Sequence, residues 1–316
     1  MRILLAGATG AIGRPLTAAL QEAGHAVVAL TRDAGKVQGL RERGLEVLVA
    51  DALDRERLRQ AAEEGELRVD AVIHEMTALS KPPARHSGMR ATNELRTTGT
   101  RNLLEVAKLA GARRFLTQSI VFGYGYTDHG DELITEESTF GDARGGGPTA
   151  PHVSAMAANE RLVRSDADME GIALRYGLFY GDPTMATMLK ARKVPVPSSE
   201  GGALAWIHLD DAVSATVAAL ERGRGGAAYN IVDDRPTTWR DLMAASAAAL
   251  GAPPPRELPG WLIRLAAPYV ATMVLDTSMR VSNELARREL GWAPEYPSVH
   301  DWSSRRPTHP QGSVKR

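Results

Sequence analysis

Three glycines and their spacing carry the first chemistry in this sequence. Gly7-Ala8-Thr9-Gly10-Ala11-Ile12-Gly13 follows a short apolar run and opens an amphipathic segment. Gly7 permits a tight strand-to-helix turn, Gly10 lets main chain approach a diphosphate, and Gly13 lets helix and strand pack closely. The helix start then offers free N–H groups and a positive dipole end to phosphate. Gly7, Thr9, Gly10, Ala11, Ile12 and Gly13 are therefore candidate dinucleotide-binding residues, because the context is right on both sides. A tight turn that binds nothing is the plainer alternative.

The second strand decides which dinucleotide. A binder of NAD usually ends this strand in an acid that holds the ribose hydroxyls. Here the run is Leu30-Thr31-Arg32-Asp33, so Thr stands at the acid's place and Arg follows. A guanidinium there can pair bidentately with a 2′-phosphate, and the expected cofactor is NADP. Asp33 can also take the acid's role, which keeps NAD open; a solvated Arg32 is the plain reading.

Other catalytic constellations are sparse. Cys is absent, which excludes disulfides, thiolate metal sites and a Cys nucleophile, and is compatible with a reducing cytoplasm. The eight His form no cluster at metal-ligand spacing, so no metal is expected. There is no Gly-x-Ser-x-Gly elbow. Asp210-Asp211 and Asp233-Asp234 are paired carboxylates, and a helix cap or turn explains both.

The elements that must position these residues follow from periodicity. Residues 3–6, 26–30, 46–49, 71–74 and 114–118 are short apolar runs, read as strands. Leu16, Ala19, Leu20 and Ala23 mark one helix face, with Pro15 near its start and Gly24 at its end. Leu103, Leu104, Ala107 and Leu109 mark another, closed by Gly111. This alternation implies a doubly wound parallel sheet, an α/β Rossmann fold. Residues 124–151 read as a loop, either plain surface or a lid. A helix is expected over 153–166, strands over 174–180 and 205–208, and a helix over 210–222 capped by Asp210 or Asp211. Beyond Asp234, an Ala-rich helix over 237–250 and a short helix over 282–290 suggest a smaller, mostly helical lobe. The apolar stretch 261–275 is shorter than a bilayer span of roughly 20 residues and reads as a buried or partner-facing helix.

With these motifs in place, the sequence resembles an extended short-chain dehydrogenase/reductase of the NAD-dependent epimerase/dehydratase type, from Arg2 to about Trp302. Beyond the glycine loop, the resemblance rests on Ala50-Asp51-Ala52, Asp70-Ala71-Val72-Ile73-His74, the helix from Asn93 to Leu104, Arg113-Arg114-Phe115-Leu116, 174–181, Trp206-Ile207-His208 and Leu290-Gly291-Trp292. It implies that Asp51 and Ala52 contact adenine, that Met76 and Thr77 lie toward the nicotinamide, and that Asn93 serves the cofactor side. It also implies a division of the chain. Residues 1–181, with 205–233 returning, form the dinucleotide domain; 182–204 and 234–302 form a substrate lobe; 303–316 form a flexible tail.

The chain departs from the family at its chemistry. The usual set is a Ser or Thr, plus a Tyr with a Lys four residues on, where the ammonium lowers the Tyr pKa. None of the seven Tyr is followed by Lys at that spacing. Counting back from Glu160 puts His152 at the Tyr place and Met156 at the Lys place. Gln118-Ser119-Ile120-Val121-Phe122-Gly123 resembles the end of the catalytic strand, so Ser119 is the candidate to hold a substrate carbonyl. His152, with an ordinary imidazole pKa of about 6.5, and Tyr124 are candidate proton donors.

Three functions share these features: an NADP(H)-dependent oxidoreductase of a carbonyl or enone, a non-redox cyclase, isomerase or dehydratase, and a cofactor-sensing protein without turnover. Apolar segments at 185–197 and 258–277 suit a hydrophobic or aromatic small molecule. Equal counts of 38 basic and 38 acidic residues argue against nucleic acid or membrane surface as partner. No signal peptide is expected, a cytoplasmic location is, and the resemblance implies a homodimer through helices at 92–109 and 153–166.

Overall fold

A computed structural model of the chain describes residues 1–79 and 82–304. Five of its strands are β1 (Arg2–Ala6), β2 (Ala26–Thr31), β3 (Glu46–Val49), β4 (Ala71–His74) and β5 (Arg114–Ile120). With Glu170–Tyr176 and Ala228–Ile231 they form one parallel sheet of seven strands, and β1 sits between β2 and β4. Strand order therefore reverses at β1, which opens a crevice beyond the carboxyl ends of β1 and β4. Both faces of the sheet are covered, which is why its strands read as continuous apolar runs. Leu5, Ile73 and Leu174 pack against Leu16, Ala212 and Leu290 on one face. Leu4, Val72 and Phe115 pack against Leu58, Leu103 and Val163 on the other. Each buried Leu, Ile, Val or Phe among them contributes about 1.5–3 kcal/mol.

Helix α1 (Gly13–Glu22) buries Leu16 and Leu20, and the chain leaves it through Gly24 at φ +79°. A third apolar cluster joins Phe122, Trp206, Trp239, Met243 and Met273, beyond the carboxyl ends of the strands.

Several expectations need correction. The run 174–180 is two strands, because the chain turns at Gly177, where a Cβ would lie 2.7 Å from the Trp206 carbonyl carbon. Leu178–Tyr180 then pairs with Trp206–His208 away from the main sheet. The expected loop 124–151 contains a strand, Asp128–Ile134, paired with Ser278–Val281. Its mostly exposed, polar residues hid it. His208, not Asp210 or Asp211, caps the helix Leu209–Arg222, its Nδ1 accepting from Asp210 N. Asp211 instead accepts from the main-chain N–H groups of Glu295 and Tyr296. The stretch 261–275 is two helices, Gly260–Ala266 and Pro268–Leu275, with Pro268 opening the second. The helix expected over 92–109 starts at Arg90 and contains a π turn at Leu95–Gly99. No described helix is long and apolar enough to cross a membrane. From residue 305 on, the expected tail lies outside the described residues, and 303–304 end the helix Val299–Ser304.

Candidate active site

A cavity of about 590 Å³ follows the crevice from the glycine loop to the third apolar cluster. Gly7, Thr9, Gly10, Ala11 and Ile12 line one part of it. Gly7 adopts φ +109°, and a Cβ there would lie 2.8 Å from the Glu75 carbonyl group. Gly13 does not line the cavity. It serves packing, since its Cβ would lie 2.0 Å from Gly7 O. Helix α1 has no side-chain cap and no acid in its first turn; Arg14 N and Leu16 N bond to Gly10 O and Ile12 O and Pro15 has no N–H, so the N–H groups of Ala11, Ile12 and Gly13 are the ones left to face a ligand. These residues fit a dinucleotide diphosphate.

Arg32 also lines the cavity. Its side chain is 76 % exposed, and its nearest acid, the Asp51 carboxylate, is 3.9 Å away. A contact this long and this exposed holds Arg32 only weakly. Asp33 lines the cavity too, and one of its carboxylate oxygens, Oδ1, accepts from Gly35 N at 2.9 Å and caps a short helix. Asp51, Ala52, Met76 and Thr77 line the cavity as well. Ala52 is fixed by Asn102, whose Nδ2 donates to its carbonyl at 2.8 Å, and Met76 by Gln118, whose Nε2 donates to its carbonyl at 3.0 Å.

The reaction end is set by β5 and the helix Ala150–Arg164. Asn159, fully buried, accepts from Thr117 Oγ1 at 2.8 Å and donates to Gln118 O at 2.7 Å. This clamps the helix to β5 and brings Met156 and Ser119 to the same cavity wall. Ser119 is 2 % exposed and its Oγ has no partner among the described residues.

Three other candidates lie elsewhere. Tyr124 does not line the cavity; it donates to Asn230 Oδ1 and accepts from Arg175 Nη1, each at 2.7 Å. Arg175 in turn forms a buried ion pair with Glu160 at 2.8 Å. Tyr124 thus belongs to a structural network, and burial pushes its pKa up to about 12. His152 sits behind the wall, 3.3 Å from His86 Nδ1 and 3.0 Å from Asn93 Nδ2. Burial, then the neighbouring His86 and Arg96, lower its pKa to about 4. It is neutral near pH 7 and holds no proton to give as an imidazolium. Asn93, expected on the cofactor side, does not line the cavity: its Nδ2 meets His152, and its Oδ1 is buried without a partner among the described residues.

The structure brings in residues that motif reading missed. Tyr126 and Tyr269 line the cavity and meet hydroxyl to hydroxyl at 3.1 Å. Glu75 lines it too, accepts from Tyr176 at 3.0 Å, and is pushed up to about 8 by burial. Arg96 is 3 % exposed within the π turn and reaches the same cavity. For Arg96 a signal exists: it falls seven residues before Leu103, on the apolar stripe of its helix. The two tyrosines are 143 residues apart and share no motif.

Comparison with known proteins adds the family. The profile of the NAD dependent epimerase/dehydratase family matches residues 3–232. A Streptomyces protein, 3-diazoavenalumate denitrifying reductase, is 40 % identical over 313 residues, covering 95 % of this chain and 98 % of the relative. A solved dTDP-glucose 4,6-dehydratase from Streptomyces venezuelae, with NAD bound, superposes at TM-score 0.75 with 22 % identity, covering 96 % of this chain and 95 % of that one. A UDP-glucose 4-epimerase from Thermus thermophilus, also in complex with NAD, gives 0.74 with 21 % identity, covering 96 % and 100 %. The chain thus belongs to the NAD dependent epimerase/dehydratase family, as an NAD(P)-dependent enzyme of the short-chain dehydrogenase/reductase type.

Proposed function

We propose that the protein is an NADP(H)-dependent reductase of a hydrophobic aromatic small molecule, acting on an electron-poor group that takes hydride without a Tyr–Lys proton pair. The observation that carries this reading is Met156. A thioether stands on the cavity wall where the resemblance expects an ammonium. A thioether neither holds a cation nor lowers the pKa of a neighbour.

Arg32 favours NADP, because it borders the cavity with an exposed guanidinium whose contact with Asp51 is long. Phe122, Trp206, Trp239 and Met273 favour an aromatic or apolar ligand, since they form the far wall. NADPH, when bound, supplies the hydride. The residues of the chain would do the rest: the glycine loop would hold the diphosphate, Met76 and Thr77 would face the nicotinamide, and the apolar wall would exclude water from the reacting carbon.

The relative that removes nitrogen from a diazo compound indicates one such acceptor class. An aryl diazonium carbon that gains hydride loses its C–N bond and releases N₂, giving the arene. No proton is required at that carbon, so absence of the dyad carries no cost. The test is reduction of an aryl diazonium phenol with NADPH deuterated at either face of C4. Deuterium at the former C–N carbon, with N₂ release, is expected; product without ring deuterium refutes it.

A second reading has its own observation. Ser119 Oγ is unpaired in the cavity that also holds the Tyr126–Tyr269 pair. For a carbonyl or enone substrate, Ser119 holds the oxygen and the tyrosine pair returns a proton, in place of Tyr124 or His152. Turnover without net NADPH consumption supports a cyclase, isomerase or dehydratase instead, and tight cofactor binding with no turnover supports a sensor. The proposal includes a cytoplasmic setting, in keeping with the lack of Cys, and a homodimer through the 90–109 and 150–164 helices. Sedimentation measures the latter. It also includes the division into a dinucleotide domain and a substrate lobe.

A further inference from the structure

Arg96 presents an imbalance of charge. Its side chain is 3 % exposed, and its Nε and Nη1 atoms are buried without a partner among the described residues. No carboxylate among the described residues forms an ion pair with it. The titratable groups that face it are Tyr126, Tyr269, His74 and His152. All are neutral near pH 7: burial raises the tyrosines, and it lowers both histidines to about 4. His74 is itself occupied, its Nδ1 accepting from Met76 N and its Nε2 meeting Leu95 O.

A buried guanidinium stays charged, and its burial without an anion is unfavourable. The protein holds it in place all the same. Arg96 lies in the π turn at Leu95–Gly99 on the buried face of its helix, four residues from Thr92 and from Thr100, which are each fully buried. It borders the cavity of the candidate active site, which Phe122, Tyr126, Trp206, Trp239, Tyr269 and Met273 line on its apolar side and Glu75, Gln118 and Ser119 also border.

We propose that Arg96 is a substrate-recognition residue, and that the pocket takes an aromatic carboxylate with its carboxylate on the Arg96 guanidinium. The geometry gives each half of such a ligand a place: the ring against Tyr126, Tyr269 and Met273, and the charge at the edge of the Arg96 guanidinium that borders the cavity. Guanidinium–carboxylate bonds are among the strongest available to a protein, and stronger where water is excluded. The ligand thus supplies the missing counter-charge, and binding is coupled to relief of a buried unpaired cation. This deepens the reductase reading, resting on it only in taking the cavity as the substrate chamber.

The test is calorimetry on the NADP⁺-loaded protein with cinnamate and, as its uncharged counterpart, cinnamamide. Cinnamate is expected to bind at least ~10-fold more tightly than the amide, the usual scale for a charge-assisted pair. Arg96→Gln should bring the two within about two-fold of each other, by loss of that pair, with NADP⁺ affinity unchanged. Arg96→Lys keeps the charge and should retain part of the preference. Without ligand, Arg96→Met should melt no lower than wild type, since it removes an unpaired buried charge; an arginine with a purely structural role would melt lower. Equal affinity for acid and amide, binding of neither at millimolar concentration, or a preference that survives Arg96→Gln would each overturn the proposal. Hydride transfer from NADPH is assayed separately. Acid preference without turnover sinks the reductase reading and leaves Arg96 standing, whereas turnover without acid preference does the reverse.

Discussion

The Cβ that Gly13 lacks would lie 2.0 Å from the carbonyl oxygen of Gly7. Helix α1 can therefore start against β1 only if position 13 carries no side chain. Gly13→Ala should force the loop away from its present path. Overpacking of this kind typically costs about 1–3 kcal/mol. The expected outcome is a lower melting temperature together with at least ~10-fold weaker dinucleotide binding, as that energy converts to affinity. Thermal unfolding and fluorescence titration with NADPH check both; an unchanged affinity would detach the loop from the cofactor.

Arg32→Ala tests the choice between cofactors. Its guanidinium is exposed and only loosely tied to Asp51. Losing it should weaken NADPH binding by about 1–3 kcal/mol while leaving NADH unchanged. Parallel titrations of both nucleotides decide it, and an equal loss for both would contradict the assignment.

Ser119→Ala separates the two acceptor classes. Its hydroxyl has no protein partner, so the fold should tolerate the change. If the substrate is a carbonyl, kcat/KM should fall about 10²-fold, the scale for one lost donor to a developing oxyanion. If the acceptor is a diazonium carbon, kcat/KM should change by less than about three-fold, since no such oxygen develops there. Steady-state assays of both substrate types read the difference directly.

Glu75 makes stability depend on pH. Burial raises its pKa to about 8 in the folded chain, above the ordinary value of 4.5. The folded state therefore holds a proton that the unfolded state releases, and stability falls as pH rises from about 4.5 to 8. Glu75→Gln removes this dependence. The variant should gain stability relative to wild type steadily across that window. Denaturation at several pH values measures it, and a constant difference would contradict the buried, protonated carboxyl.

How much of this was legible in the sequence depends on whether the cause was local. β4 begins where its apolar run begins, because a strand covered on both faces needs nothing else. The glycine loop was legible for the same reason: its constraints act within seven residues. The strand Asp128–Ile134 was not, since its partner is Ser278–Val281 and its own residues are mostly polar. The site divides in the same way. Ser119 was legible from its place at a strand end. Tyr124 misled, because its partners Arg175 and Asn230 come from distant strands and convert a plausible donor into a structural group. His152 misled because burial, which no motif reports, takes its proton away. Tyr126 and Tyr269 meet across 143 residues of sequence, and no local pattern reports that pairing.

The central claim is that the Gly7–Gly13 turn grips a pyridine dinucleotide and that Arg32 selects its phosphorylated form. Isothermal titration of the purified protein with NADPH and NADH tests it most directly. The account predicts saturable binding of NADPH at one site per chain, and weaker binding of NADH. Folded protein that takes up neither nucleotide would contradict it.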